Sequence, residues 1–519
     1  NGSWPLRTEL LAFPNGGSLY FIDVVQVIAT LPIQLLLGPV VAYNVVVVAG
    51  FWLSAFAAWL LTRKLVGDPW CAGVAMVIYG ASPHLLGQAY NGISETLCAG
   101  WFPLTLWCLI RVVERPVRGR AMVLGVVFAM CVLTSWYYGL FAIIGGVVVL
   151  SWLAVRQPWL LRWRSVVRRL LEGGVLATVL VGPMLVAFRQ SLEAGDALVS
   201  RDPDFVRASL LRHNITDLLA FFRPGKTPSP DLQALFGEEL VIVIYVGWVG
   251  LVLAGAALWL TRRRHMRPWV WLGLVFFVFS LGPYLYFGGE YLELRGRRVP
   301  LPFLPLFEAL PLFGRVSHPF RFVSGMSLAL AVLAAHGLRH VLRNRDILTR
   351  AVVVSTVAVL GLVEFALGSP ATIPVPTSEA RIPGAYSKMK EDPEPGAVLD
   401  LPLTVPNLER AVYVWYQAEH GRAVPWGLND PMPRGLLLNR LAATLIRIEA
   451  VRSWQPAPRL PELDLVVGAR NLERLGYRYV VLHENLYPHF KREQVESILT
   501  GLFGSPERWE DDGLLVYTL

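Results

Sequence analysis

The hydrocarbon core of a bilayer is about 30 Å thick, so a crossing helix needs about 20 predominantly apolar residues. Runs of that order recur along this chain between short polar breaks, at residues 40–62, 70–90, 96–112, 121–136, 138–155, 170–188, 239–261, 269–287, 321–338 and 351–368. Beyond residue 369 no run is long enough to cross, and short apolar stretches alternate with amphipathic ones. The pattern predicts a polytopic α-helical membrane protein with about ten transmembrane helices and a C-terminal soluble α/β domain. The transmembrane domain covers 40–368, a linker containing Pro and Gly covers 369–396, and the soluble domain covers 397–519. In that domain strands are expected at AVLDLP, YRYVVLH and GLLVYTL, and helices near 407–419, 435–453, 467–475 and 490–502.

Charge orients the spans. Cationic residues gather in every second connection: Arg63 and Lys64; Arg111, Arg115, Arg118 and Arg120; Arg156, Arg162, Arg164, Arg168 and Arg169; Arg262 to Arg264 and Arg267; Arg339, Arg343, Arg345 and Arg350. Such loops are cytoplasmic by the positive-inside rule. The alternate connections, around Asn91, Tyr137, 189–238 and 288–320, then face the other side together with residue 1 and the soluble domain. The expected location is a bacterial inner membrane with the C-terminal domain periplasmic. The formal net charge of +9 invites a nucleic-acid reading. Its distribution rejects that, because the tail is slightly acidic and the excess lies in the cytoplasmic loops, where it attracts anionic lipid. The four cysteines, at 71, 98, 108 and 131, lie in or beside apolar spans, which leaves the exported domain without a disulfide framework or zinc site.

Polar residues on the Arg-poor side carry the candidate chemistry. HLLGQAYNGISETL gathers His84, Gln88, Asn91, Ser94 and Glu95 around one turn, and ionisable groups at membrane depth usually face a cavity or a partner. Glu95 is a candidate acid. The competing expectation is that Ser94 and Glu95 cap the next helix. Glu238 and Glu239 are expected to complement the start of the span at 239. Arg315, His318 and Arg321 precede a span on the side where cations are disfavoured, and planar guanidinium donors suit the oxygens of a lipid phosphate. A second basic group, Arg295, Arg297 and Arg298, lies in the same loop. TSWYYG at 134–139 is expected to be a tight hairpin turned by Gly139, with Trp136, Tyr137 and Tyr138 anchored in the interface. In the tail, YVWYQAEHGRAVPWG offers Tyr413, Trp415, Tyr416, His420 and Trp426 either to carbohydrate or to core packing. No metal-ligand spacing, Gly-rich phosphate loop or nucleophile elbow occurs in the exported segments. No cofactor is evident, and a soluble nucleotide-sugar domain is unsupported.

The topology places Asn1 outside the cell, so a further transmembrane helix is expected upstream. Residues 1–39 then form the remainder of a first external loop, in which SLYFIDVVQVIATLPIQLLLG, interrupted by Asp23, Gln26, Pro32 and Gln34, lies along the interface rather than crossing. This plan resembles the GT-C integral membrane glycosyltransferases. The resemblance extends to a bacterial group of GT-C-like proteins through TELLAFPNGG at 8–17, the GPVVAYN stretch at 38–44, TSWYYG, SLGPYL at 280–285 and the RVSHPFRF box at 315–322. In the tail it continues through EPGAVLDLPL at 394–403 and LERLGYRYVVLHENLYP at 472–488.

The resemblance implies transfer of a sugar from a membrane-embedded polyprenyl-phosphate donor to a glycan, lipid or protein acceptor on the external face. Such a reaction needs a carboxylate to deprotonate the acceptor and cations to hold the leaving phosphate. In such enzymes the key acid sits in the first external loop, which makes Glu9 the nearest candidate and Asp23 the second. The alternative reading is a transporter or flippase, or a noncatalytic scaffold in envelope polysaccharide assembly. A transporter usually carries repeats with broken helices at matching positions, and no internal repeat is evident.

Overall fold

The computed structural model describes residues 7–18, 23–156, 163–193, 203–212, 215–225, 242–261, 266–369, 374–375, 377–404, 407–427, 432–450 and 462–519. These are mostly helical. In chain order the helices of the first part are α1 Val24–Leu37, α2 Pro39–Val66, α3 Pro69–Gly80, α4 Pro83–Tyr90, α5 Ser94–Leu97, α6 Trp101–Glu114, α7 Arg118–Thr134 and α8 Trp136–Arg156. They continue with α9 Trp163–Glu193, α10 Pro203–Arg212, α11 Trp248–Thr261, α12 Arg267–Ser280, α13 Phe303–Ala309, α14 Val323–Val341 and α15 Ile347–Gly368. Among the described residues six helical stretches are long and apolar enough to cross a membrane: Pro39–Val66, Ser94–Glu114, Trp136–Val155, Trp163–Gln190, Pro319–Val341 and Ile347–Gly368. Helix α1, with 14 residues, is roughly 21 Å long and falls short of the hydrocarbon thickness. It is read as lying outside the spanning set.

Pro319–Val341 is the centre of the bundle, buried throughout its apolar window. Its composition explains this: Ser324, Gly325, Ser327, Ala329, Ala331, Ala334, Ala335 and Gly337 put small side chains on every face, so neighbouring backbones approach closely. Helices α3, α11 and α12 pack directly on it.

Three apolar runs fold differently from the pattern. Residues 70–90 break at Ser82, where Pro83 starts a new helix because its ring cannot accept a preceding helical turn. In the run 239–261, the described part before Trp248 is non-helical yet buried, Ile242 to Val246 being at most 6% exposed. In 269–287, α12 stops at Ser280 and Gly282 turns the chain at a φ of 78°. Two small hairpins then follow, β3 Tyr286–Phe287 with β4 Glu290–Tyr291, and β5 Glu293–Leu294 with β6 Arg297–Arg298; β1 Arg7–Thr8 and β2 Gly17–Ser18 pair earlier in the chain. Glu238 and Glu239 lie outside the described residues. The start of α11 is complemented by Glu364 of α15, whose carboxylate accepts from the Tyr245 hydroxyl, the Trp248 amide and, at 3.0 Å, the Val249 amide.

The hairpin at TSWYYG is also built otherwise than expected. Ser135 alone, in extended conformation, separates α7 from α8, and Gly139 lies within α8. A Cβ on Gly139 would sit 2.8 Å from Val132 Cγ2, so the glycine is required by the closeness of the two helices.

The Arg-rich connections converge on one end of the bundle. Lys64 pairs with Glu114 at 2.9 Å, Arg120 donates to the Arg111 carbonyl at 2.6 Å, Arg169 donates to the Pro116 carbonyl at 3.3 Å, and Arg339 and Arg350 reach Val66 and Asp68. The Arg-poor connections meet one another separately, around Asp23, Ser94, Tyr137 and His318.

Beyond the bundle a four-stranded sheet runs in the order β7-β8-β10-β9, formed by β7 Ala397–Leu401, β8 Tyr477–His483, β9 Glu507–Trp509 and β10 Leu514–Thr518. β7 and β8 are parallel, with Leu399 opposite Val480, and the other pairs are antiparallel. The strands at AVLDLP, YRYVVLH and GLLVYTL occur where the alternation places them. Tyr413, His420 and Trp426 are buried, Tyr413 and Trp426 within the core, while Trp415 and Tyr416 of the same element are half-buried. The N-terminal segment is docked on this layer: Phe13 N–H donates to the Val424 carbonyl at 3.0 Å and Val424 N–H to the Leu10 carbonyl at 2.9 Å, while the Phe13 ring meets Tyr477 edge-on at 5.2 Å.

Candidate functional site

Asp23 caps the start of α1 in a left-handed conformation, φ 59°, which a short polar side chain tolerates. Its amide donates to the Thr134 carbonyl at 3.2 Å, which fixes α1 to the end of α7. The Ser94 hydroxyl donates to its carboxylate. Burial pushes the Asp23 carboxyl up to about 7; the Ser94 bond pulls it back, and the neighbouring charge of Glu95 pushes it further.

Glu95 turns toward α14 and accepts from the Arg321 guanidinium at 2.5 Å, with the two side chains only 12% and 10% exposed. Arg321 also lies over the Tyr137 ring, 4.7 Å from its centre. Ser94 and Glu95 make no side-chain cap on α5, whose start at Ile93 carries none. Tyr137 accepts from the His318 amide at 3.1 Å, and His318 Nδ1 lies 2.7 Å from the Ser317 hydroxyl. Tyr138 donates to the Thr96 carbonyl, Thr96 donates to Gln88 at 3.3 Å, and Tyr43 donates to the Gly92 carbonyl at 3.2 Å. His84 is buried, with Nδ1 3.3 Å from the Val243 carbonyl and its ring edge toward Phe320.

Asp23, Glu95, His318 and Arg321 therefore converge, although 298 positions separate the first from the last in sequence (321 − 23). Arg315 is exposed on the rim, stacked on Phe188 at 5.0 Å, and Phe188 in turn meets Trp136 at 5.9 Å. Glu9 is not brought to this group; it is exposed, in a segment held on the C-terminal sheet layer. Among the sequence candidates, Arg321 differs most from expectation. It is buried and neutralised by Glu95, whereas His318 is half-buried and Arg315 exposed. Tyr137 and Tyr138, expected as interface anchors, belong to the group. Their place at the end of α8, beside the one-residue turn at Ser135, aims both rings inward.

The arrangement brings together a half-buried carboxyl pushed up to about 7, a second carboxylate held by a guanidinium, and the more exposed His318 and Arg315. Among the described residues no group of three or more His, Cys, Asp or Glu side chains is placed to hold a metal ion. Arg295, Arg297 and Arg298 lie elsewhere, on the β5–β6 hairpin, where Arg298 covers Tyr291 at 4.0 Å beside an open concavity of about 510 Å³. In the C-terminal layer, Asp400 accepts from Tyr386 at 2.5 Å and lies 3.0 Å from His483 Nε2, a buried polar set sealed by the stacked Tyr416 ring.

Residues 1–323 match a family described as a domain of unknown function, DUF6311. No curated protein matches the chain. Among solved structures, it is similar to the oligosaccharyltransferase of Archaeoglobus fulgidus tethered to an acceptor peptide containing the NVT sequon, with a TM-score of 0.52 at 11% identity over 97% of this chain and 65% of that one. It is likewise similar to the archaeal oligosaccharyltransferase AglB from the same organism, in complex with an inhibitory peptide and a dolichol-phosphate, with a TM-score of 0.50 at 13% identity over 97% and 65%. The chain thus spans just under two thirds of these proteins and shares their fold.

Proposed function

The chain belongs to the DUF6311 family, and from the site it builds we propose that it is a GT-C-type membrane glycosyltransferase. It moves a sugar from a polyprenyl-phosphate donor to an envelope acceptor on the periplasmic face of a bacterial inner membrane, the face opposite the Arg-rich loops. The observation that carries this reading is Asp23, a half-buried residue whose carboxyl is pushed up to about 7, held by Ser94 beside an Arg-paired glutamate at the Arg-poor end of the bundle. A general base works best when its pKa lies near the operating pH.

In the reaction, Asp23 takes the proton of the acceptor hydroxyl as that oxygen bonds to the anomeric carbon. The bond from this carbon to the phosphate oxygen breaks, and the phosphate leaves with the electron pair. Arg315 and His318 face the departing charge from the rim. Glu95 acts through Arg321, holding the guanidinium over Tyr137 and so fixing the wall against which the donor lies. Glu9 has no part in this scheme. The fold neighbours support the substrate classes, one being named with a dolichol-phosphate and the other with an acceptor peptide.

The test is transfer by the purified full chain in proteoliposomes, offered polyprenyl-phosphoryl sugars or nucleotide sugars together with envelope extract as acceptor. Transfer from a lipid-linked donor alone is expected. Transfer from a nucleotide sugar without lipid, or no transfer from any lipid-linked sugar, contradicts the reading.

A further inference from the structure

The Arg-rich end of the bundle holds a small cavity that the proposed reaction does not use. It lies between α6 and α7, has a volume of about 110 Å³ and is lined by Trp107, Cys108, Arg111, Gly119, Arg120 and Val123. That is several times the space a single water needs. Two half-buried guanidinia converge on it. Arg111, in the last turn of α6, lies over the Trp107 ring at 4.5 Å from its centre, and Arg120, in the first turn of α7, donates to the Arg111 carbonyl at 2.6 Å. Each guanidinium carries five N–H donors, so most of them are left for another acceptor.

The lining contains no carboxylate, and the nearby acids are engaged elsewhere, Glu114 with Lys64 at 2.9 Å and Glu172 with Arg169 at 2.6 Å. Like charges drawn into one half-buried place repel each other unless an anion lies between them. The surroundings specify that anion. Val123 is 51% exposed and Val126, one turn further along the same face of α7, is 41% exposed, so the cavity opens beside an apolar outer surface. An occupant with an anionic head and hydrocarbon tails sets its head between the guanidinia and its tails along the valines. Arginine forks suit phosphate oxygens, and a Trp near the end of a span sits at headgroup depth. Gly119 keeps the space open, since a Cβ there would meet nothing within 4 Å.

We propose that this cavity binds the phosphodiester of an anionic phospholipid in the leaflet at the Arg-rich end, through Arg111 and Arg120. The phosphodiester serves as the counter-ion that the protein itself does not supply between α6 and α7. The site is separate from the Asp23 group and does not depend on the glycosyltransferase reading.

The experiment titrates the full chain in neutral detergent micelles with phosphatidylglycerol, phosphatidylcholine and inorganic phosphate, and counts bound molecules by native mass spectrometry. The proteins compared are the wild type, Arg111→Gln, Arg120→Gln, Arg118→Gln and Gly119→Leu. Arg118 is exposed and outside the lining, so its variant removes the same charge without touching the cavity. Gly119→Leu fills the space, leaves the charge unaltered and raises helix propensity, which keeps the test clear of misfolding. The wild type is expected to hold one phosphatidylglycerol about tenfold or more tightly than the zwitterionic lipid, the scale of a charge-assisted hydrogen bond. Arg111→Gln, Arg120→Gln and Gly119→Leu should each remove most of that preference, and Arg118→Gln should retain it. A wild type without the preference overturns the site. Equal losses in Arg118→Gln and Arg120→Gln, with Gly119→Leu unaffected, would assign the effect to diffuse surface charge and overturn it as well. Inorganic phosphate bound as tightly as phosphatidylglycerol would overturn the lipid assignment.

Discussion

Separating Glu95 from Arg321 should destabilise the chain whichever partner is removed. The pair is held at 2.5 Å with side chains 12% and 10% exposed, and breaking a buried pair from one side typically costs about 3–5 kcal/mol because a charge is left uncompensated. An arginine has no escape, since its guanidinium stays protonated; after Glu95→Ala, only the Tyr137 face at 4.7 Å remains to it, worth about 0.5–2 kcal/mol in all. Arg321→Met leaves the Glu95 carboxylate buried without its guanidinium and should cost an amount in the same range.

The assay is equilibrium unfolding in mixed detergent–SDS micelles for both single variants and the double. The double variant should be more stable than the sum of the singles by about 2 kcal/mol or more. Neutral interhelical hydrogen bonds in membranes average only about 0.6 kcal/mol, so the two descriptions are well separated. A Glu95→Ala penalty below about 1 kcal/mol, or additive singles, would refute the buried-pair reasoning.

Two further outcomes follow from the fold. Cysteines introduced at Asn344, among the Arg-rich connections, and at Glu290, on the β4 strand, should label from opposite faces of sealed vesicles, against a low background because the four native cysteines are buried; labelling of both from one face contradicts the orientation. Glu364→Ala removes the acceptor of the Tyr245 hydroxyl and of two α11 amides, and unfolding should be easier by about 1–3 kcal/mol, whereas a change below about 0.5 kcal/mol would show that water replaces the carboxylate there.

The apolar runs were a reliable guide to where helices lie, because lipid and a tightly packed bundle both select apolar residues. They were poor at saying what each run becomes. The run 239–261 reads as a span, yet its described residues 242–247 are buried and non-helical; the β-branched series Val241, Ile242, Val243 and Ile244 ahead of Gly247 was the available signal. Ser82-Pro83 marked the break between α3 and α4 in the same way.

Part of the site was visible as polar residues on Arg-poor turns, namely Glu95, His318 and Arg321, but their pairing was not, since no local pattern joins residue 95 to residue 321. Tyr137 and Tyr138 were misleading because a Trp-Tyr-Tyr run at a helix end looks like an interface belt, and only the rotation of α8 against α14 decides that the rings turn inward. Glu9 had the motif in its favour. Asp23 had an apolar helix that buries only its glutamine, and that distinction needs the packing to be seen.

The central claim is that Asp23 is the proton acceptor in transfer from a lipid-linked donor, and its most direct test is the pH–rate profile of the full chain in proteoliposomes, wild type against Asp23→Asn. With the carboxyl at about 7, the wild-type rate should rise as the pH climbs through that value, because only the deprotonated form accepts a proton, and then level off. Asp23→Asn should be slower by about 10²- to 10⁴-fold and should lack the inflection. An asparagine variant with the wild-type rate and the same pH dependence would contradict the account.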